Sequence, residues 1–549
     1  MKMKKYLTML LLAFTTSGAF ISCEDDETLG EAPRLFRPIV TCESQNNNLI
    51  CTWDNISGAT SYELVLYKAT GEQTEEGAEI MEQYQTVTVE TSPFTFENLT
   101  WDEKYAVRIK ALGAGKTSEF YDGTLISISY PTKLQKVNAI IENAAKLEWN
   151  AGVTITTVEV YVQSEENGTY TLLKTEAVTE TDNAKLEHVV EGLNPETKYR
   201  LIAYSGEEGE LSYEGRMDFT TTAPVNYGDN VVDLRSLTDE ESEIILDQTF
   251  FDSVPDGAVV VLKAGFTYKV QSKPTFKTSF RMTTGASLSG NATLLVAEFK
   301  VPTDVLGPIT FEKVNIYGSG DKNASNFGNT YFFNLNQAGT LEALNFIDCE
   351  VKYMRGIARL RNTMTINNVK FENCIIDSVA DFAVLSTENS TAVKNVEITN
   401  STIANVKKFL VNTKSSVGFA NATITISNCT FAYCGAEQYL FEFNNKANYN
   451  VGLKCNVSDC LFGPQYVGSK FAYGARCSGE NSVIAFSNCY KTKDLVSTSA
   501  DGATSAPLEV DEYAGKSTDL WKDPLNGDFT IKDIQSAAAT VGDPRWHVN

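Results

Sequence analysis

Histidine is almost missing from this chain: there are two in 549 residues, His188 and His547. Its eleven cysteines include no C-x2-C pair. A structural zinc site, which needs paired cysteines or cysteine with histidine, therefore has neither its spacing nor its partner residues here. Positive charge is also scarce, with 46 Lys plus Arg against 70 Asp plus Glu and a net charge of −24. The deficit is concentrated in front, where residues 1–224 hold 18 basic against 35 acidic side chains and the remainder holds 28 against 35. Such a field repels anionic polymers, so a nucleic-acid partner is excluded as an expectation. Long apolar runs are lacking too, apart from Tyr6 to Phe20, which is too short to span a bilayer.

That one apolar run follows Met1-Lys-Met-Lys-Lys and ends in Ile21-Ser-Cys23. A basic start, a short apolar stretch and small residues before a cysteine resemble a lipoprotein signal over residues 1–23, which implies lipidation of Cys23. The acidic stretch Glu24 to Glu27, opening a linker over 24–37, is similar to the tag that sends lipoproteins of glycan-degrading Gram-negative bacteria to the cell surface. Outer-membrane, lipid-anchored localisation is the expectation.

At this length several domains are expected. Residues 38–130 alternate short strand-like runs, such as Tyr62 to Tyr67 and Tyr105 to Ala111, with Gly, Asn, Asp and Thr clusters. Residues 131–224 repeat that rhythm, which is the pattern of antiparallel sandwiches. Trp53 and Trp149 in early strands, with "LTWDEKY" (Leu99 to Tyr105) and "LNPETKY" (Leu193 to Tyr199), resemble the core tryptophan and tyrosine corner of fibronectin type III domains. The resemblance implies two spacers without chemistry of their own. Cys42 and Cys51 flank a hairpin-like stretch and are candidates for pairing, which sequence leaves open.

Past residue 224 the chain repeats. Asn or Asp followed by Cys or Ser recurs with pivots Cys349, Cys374, Ser401, Cys429, Cys460 and Cys489, at intervals of 25, 27, 28, 31 and 29 residues, and a weaker rung precedes them at Val314. This period suits one coil of a parallel β-helix, in which equivalent positions stack about 4.8 Å apart. A serine at one rung points to a packing slot for a small side chain, filled elsewhere by unpaired thiols. Disulfides between Cys429 and Cys434, or Cys455 and Cys460, are the alternative, and the state of Cys477 is equally open. Leu237 to Val254 has helical spacing suited to capping the apolar end.

Val254 to Val270 resembles the opening strands of pectate-lyase-like β-helices, and Asp523 to Lys532 with Val541 to Trp546 resembles the closing segment of extracellular β-helix proteins from polysaccharide-degrading bacteria. The fold class expected for residues 225–549 is a right-handed parallel β-helix, making the whole chain all-β. The resemblance implies carbohydrate as ligand.

Polygalacturonase-type hydrolysis needs clustered carboxylates with a histidine, and the only Asp-Asp pair is Asp25-Asp26. A lyase needs a basic residue, with a cation to neutralise a uronate carboxylate. The one dense basic set is Arg355, Arg359 and Arg361, with Lys370 or Lys352 expected on an adjacent rung, and Asp377, Asp381 and Glu388 as candidate Ca2+ ligands. The Arg-x-Pro-x-x-Arg pattern of the main pectate lyase family is absent. Binding without catalysis needs aromatic faces and amides along a flank, with Arg359, Arg361, Tyr353 and Lys370 as candidate contacts. Tyr331, Tyr433, Tyr439, Tyr449, Tyr466 and Tyr473 are further exposed candidates. The expected function is capture of an acidic plant polysaccharide by a surface lipoprotein, with no cofactor, alongside other surface glycan-uptake proteins. A polysaccharide lyase, with Ca2+, and an adhesin are the alternatives.

Overall fold

The computed structural model describes residues 34–548, apart from 75–76, 208, 413, 444–445, 447, 499–504 and 507. Cys23 and the acidic stretch after it lie outside the described residues. The chain is all-β, with two fibronectin III-like sandwiches followed by a parallel β-solenoid of about ten turns.

In the first sandwich, Val40–Gln45, Asn48–Trp53 and Phe94–Phe96 form one antiparallel sheet, and Glu79–Val89, Ser61–Gln73 and Glu103–Gly113 form the main strands of the other. Leu64, Leu66, Val107 and Ile109 alternate inward, as a half-buried strand requires. Trp53 is buried with its ring 5.3 Å from that of Tyr62. The Tyr105 hydroxyl accepts the Thr100 amide at 3.1 Å, five residues upstream, which is the hydrogen bond of a tyrosine corner. In the second sandwich Tyr199 does the same with the Asn194 amide at 2.8 Å, and Trp149 is buried.

The solenoid runs from Val231 and builds three sheets of stacked parallel strands; its opening coils give strands to the first and second, and the third begins at Tyr331. Strands Gly339–Ile347, Met364–Glu372, Ala392–Thr399 and Thr423–Ser427 are successive members of the first sheet. Glu350–Met354, Ile375–Val379, Thr402–Val406 and Thr430–Ala432 follow each other in the second. The third holds Tyr331–Asn336, Gly356–Arg361, Leu385–Thr387, Leu410–Asn412, Tyr439–Phe443 and Ala472–Cys477. Helices Asp239–Ile245 and Gln248–Ser253 close the N-terminal end, where Phe251 packs among Phe276, Phe280 and Phe299.

Each pivot lies just after the corner between the first and second sheets. Asp348, Asn373, Asn400, Asn428, Asp459 and Asn488 all turn there with φ between 49° and 54°. Asn and Asp tolerate this left-handed conformation best among residues with a Cβ. Lys313 adopts it too, one residue before Val314, so the weaker rung belongs to the same row. The side chain that follows turns inward: Cys349, Cys374, Ser401, Cys429, Cys460 and Cys489 are all buried, and every described cysteine is unpaired. The alternative pairings of Cys434 and Cys455 do not form, because both sulfurs sit in the apolar interior on rows of their own. Each thiol has a backbone carbonyl in reach; Cys429 Sγ donates to Ser427 O at 3.2 Å. At the serine rung Ser401 Oγ donates to Thr399 O at 2.7 Å and accepts the Cys374 amide at 2.9 Å. Cys429→Ser is therefore expected to cost about 1 kcal/mol or less, and Cys429→Leu, which overfills the slot, about 1–3 kcal/mol. Urea denaturation of the purified variants measures both.

Candidate functional site

The outward faces of the three sheets differ in chemistry. The first presents a flat polar row in register, Thr310, Asn345, Lys370, Glu397, Thr425 and Asn456. The second is covered over its later coils by the C-terminal segment. Leu520, Trp521, Phe529, Ile531 and Val541 pack there on Ala404, Ala432 and Leu461. Polar bonds lock the cover: Thr402 Oγ1 donates to the buried Asp543 carboxylate at 2.6 Å, and Trp546 Nε1 donates to Thr402 Oγ1 at 2.7 Å.

The third sheet carries charge and aromatic faces together. Its outward row reads Asn334, Arg359, Ser386, Val411, Glu442 and Arg476, each in register with the next. Arg359 gives Nε and Nη2 to Glu388 Oε1 at 2.8 and 2.7 Å, and its Cζ lies over Phe382, 3.7 Å from the ring centroid. Arg355 binds both oxygens of Asp381 at 2.9 Å and gives Nη1 to Asn329 Oδ1 at 2.6 Å, with its guanidinium 4.4 Å from the same ring. That bidentate pair holds the Asp381 carboxyl below its ordinary range. Further along the row Arg476 reaches Glu442 at 3.5 Å and lies over Tyr439, whose ring is 4.9 Å from that of Tyr473. Planar guanidinium–carboxylate pairs beside aromatic faces offer donors, acceptors and stacking surface to a polyhydroxylated ring.

Two cations on this flank have no ion pair among the described residues. Arg361 gives Nη2 to Asn334 Oδ1 at 3.0 Å, while its Nε is buried without a partner. Lys408 forms no ion pair, yet its charge acts on Asp381 and Glu442. Glu442 holds its proton above the ordinary carboxylate range, because burial outweighs the pull of Lys408 and Arg476. With the folded pKa above the unfolded one, this group favours the native state at low pH and loses that contribution as pH rises through the folded value. Glu442→Gln is accordingly expected to match wild type at pH 4 and to exceed it above pH 6 by on the order of 1 kcal/mol or less, read from urea midpoints across pH.

The structure separates several residues that the sequence groups. Lys370 lies on the first sheet, paired with Glu372 at 2.7 Å and Glu397 at 3.6 Å. Lys352 lies on the second, near Asp377 at 3.8 Å. Neither reaches Arg359, because a coil of three sheets puts residues one repeat-third apart on different flanks. Tyr353 lies within the second-sheet strand Glu350–Met354 with φ 60°, packed by Tyr317 and covered by Lys322. Asp377, Asp381 and Glu388 do not converge: Asp377 accepts from Asn405 and Ser378, and the other two are held by Arg355 and Arg359. Among the described residues no three His, Cys, Asp or Glu side chains are arranged to hold a metal ion. Tyr331, Tyr433 and Tyr439 are buried rather than exposed: Tyr331 packs on Phe382 and Tyr439 on Tyr473 of the neighbouring coils, and Tyr433 lies under the C-terminal segment. Phe382, Lys408, Glu442 and Arg476 belong to the flank and carry no repeat signature in the sequence.

Comparison with known proteins bears on both parts. A family described as "Domain of unknown function (DUF5123)" matches residues 424–546, the last coils together with the segment that covers the second sheet. No curated protein matches the chain. Among solved structures, a two fibronectin type-III domain segment from chicken tenascin is similar at 16% identity, covering 34% of this chain and 99% of that one with a TM-score of 0.15. The FN1–FN3 domains of chicken CNTN1 are similar at 18% identity, covering 35% of this chain and 69% of that one, also with a TM-score of 0.15. Among the described residues no helix is long and apolar enough to cross a membrane.

Proposed function

We propose that this chain is a lipid-anchored protein of the bacterial outer surface, with Cys23 as its anchor, that holds an extracellular polysaccharide along the third sheet of its solenoid. The observation that carries the reading is the row from Asn334 to Arg476, where the pairs Arg359–Glu388 and Arg476–Glu442 and the ring of Tyr473 are spaced along one sheet on either side of the buried Ser386 and Val411. Arg361 and Lys408, free of ion pairs, favour a polymer that brings its own carboxylates, as a plant uronan does. The sandwiches serve as spacers, and other surface glycan-uptake proteins are the natural partners.

Retention of the full chain on affinity gels cast with neutral and uronate polysaccharides tests the binding; unchanged mobility on every gel removes it. Incubation with the same uronans, followed by absorbance of the unsaturated product, tests the alternative, a polysaccharide lyase using Arg355, Arg359 or Arg361. A protein that neither binds nor cleaves glycans but adheres to cells would be an adhesin. Cys23→Ala is expected to move the protein from the membrane to the soluble fraction, while a variant that stays in the membrane refutes the anchor.

A further inference from the structure

The first sandwich contains the only two described cysteines outside the solenoid, and they face each other. Val40–Gln45 and Asn48–Trp53 form a hairpin joined at Asn46 and Asn47, with Gln45 opposite Asn48 and Cys42 opposite Cys51. In a two-residue hairpin the closing pair is hydrogen-bonded and the pairs alternate outward, which places Cys42 and Cys51, three steps away, at a non-hydrogen-bonded site. There the Cα atoms approach to about 4.5 Å and the Cβ atoms are close, within the range a disulfide spans. The sulfurs are already 3.0 Å apart, and both side chains sit in the core with Trp53 and Tyr62.

We propose that Cys42 and Cys51 are a redox site, joined by a cross-strand disulfide in an oxidising compartment. Cys42 is the entering thiol. Its strand lies at the edge of its sheet and it retains slight exposure, whereas Cys51 is fully enclosed on the middle strand. The hydrogen bond from Cys51 also lowers the Cys42 thiol pKa, while the same bond and burial raise that of Cys51. The oxidant is a disulfide-bearing thiol oxidoreductase or a small-molecule disulfide. The Cys42 thiolate attacks one oxidant sulfur, forming a mixed disulfide and releasing one oxidant thiol. Cys51 then loses its proton and attacks Cys42 Sγ, displacing the second. Two cysteine thiols are oxidised to one disulfide, and one oxidant disulfide is reduced to two thiols.

The bond would fasten the strand by which the sandwich joins the N-terminal segment. The solenoid thiols differ: Cys349, Cys374, Cys429 and Cys460 are enclosed on all sides with backbone carbonyls as partners, and no oxidant reaches them in the folded chain.

The test is mass spectrometry of the full chain after export to an oxidising compartment, unfolded and alkylated without reductant. A peptide pair linked through Cys42 and Cys51, lighter by two hydrogens, with the solenoid thiols alkylated, is the expected result. Alkylation of both Cys42 and Cys51 overturns the proposal, as does a bond from either to a solenoid cysteine. In calorimetry, reductant is expected to lower the first sandwich's transition by roughly 10 °C and to leave the Cys42→Ser/Cys51→Ser protein unmoved. An equal shift in both proteins also refutes the linkage.

Discussion

Phe346→Ala is expected to lower the stability of the solenoid by about 3–5 kcal/mol. Phe346 is fully buried, and its ring stacks on that of Phe371 at 4.8 Å with 13° between planes, on Phe311 at 5.9 Å, and edge-on against Phe332 at 5.1 Å. Removing it deletes three aromatic contacts and leaves a cavity that neighbouring coils, fixed by their ladder hydrogen bonds, fill only partly. Because each coil touches only its neighbours, the damage falls on the interface between adjacent coils. Unfolding in urea, followed by circular dichroism and by Trp521 and Trp546 fluorescence, is expected to split into separate transitions on either side. Phe346→Leu, which keeps most of the volume, is expected to cost about 1–2 kcal/mol. A loss below about 1 kcal/mol for the alanine variant would mean that the stacked row is not the core.

Arg359→Ala is expected to reduce retention on the polysaccharide gel by at least about tenfold, equivalent to about 1.4 kcal/mol of binding. Arg359 covers Phe382 and is the partner of Glu388, whose side chain is only 14% exposed. Its loss removes a planar donor from the row and leaves a largely buried carboxylate unpaired, which repels an incoming sugar acid. Arg359→Lys keeps the charge but lacks the fork and the flat face, so most of the loss is expected to persist. Lys370→Ala, on the first sheet, is the control and is expected to bind as wild type. Equal weakening by Arg359→Ala and Lys370→Ala would place the ligand elsewhere. Unchanged circular dichroism separates lost contact from lost fold.

What could be read from the sequence follows from which features repeat. The pivots were legible because the corner between the first and second sheets is built the same way in every coil. A left-handed residue must be Asn or Asp by preference, and the slot behind it admits only a small side chain, so both leave a residue-type signature. The tyrosine corners were legible for the same reason, since one hydroxyl bond fixes Tyr105 and Tyr199 relative to their own upstream amides. The third-sheet row has no such constraint. From pivot to third-sheet row the distance is 10 residues for Cys349 to Arg359, 12 for Cys374 to Ser386, 10 for Ser401 to Val411, 13 for Cys429 to Glu442 and 16 for Cys460 to Arg476.

Those offsets vary because the second corner carries loops of differing length, so no shared slot fixes the residue type along this row. Sequence alone therefore determined the two sandwiches, the stacked coils and the small buried side chains at one corner. Tertiary structure decided which charges meet: it set Arg359 against Glu388 and Phe382, sent Lys370 to another flank, and covered the second sheet with the C-terminal segment. Burial at a repeated corner constrains residue type and recurs along the chain, whereas pairing across the third sheet depends on loop lengths that only the folded coils add up.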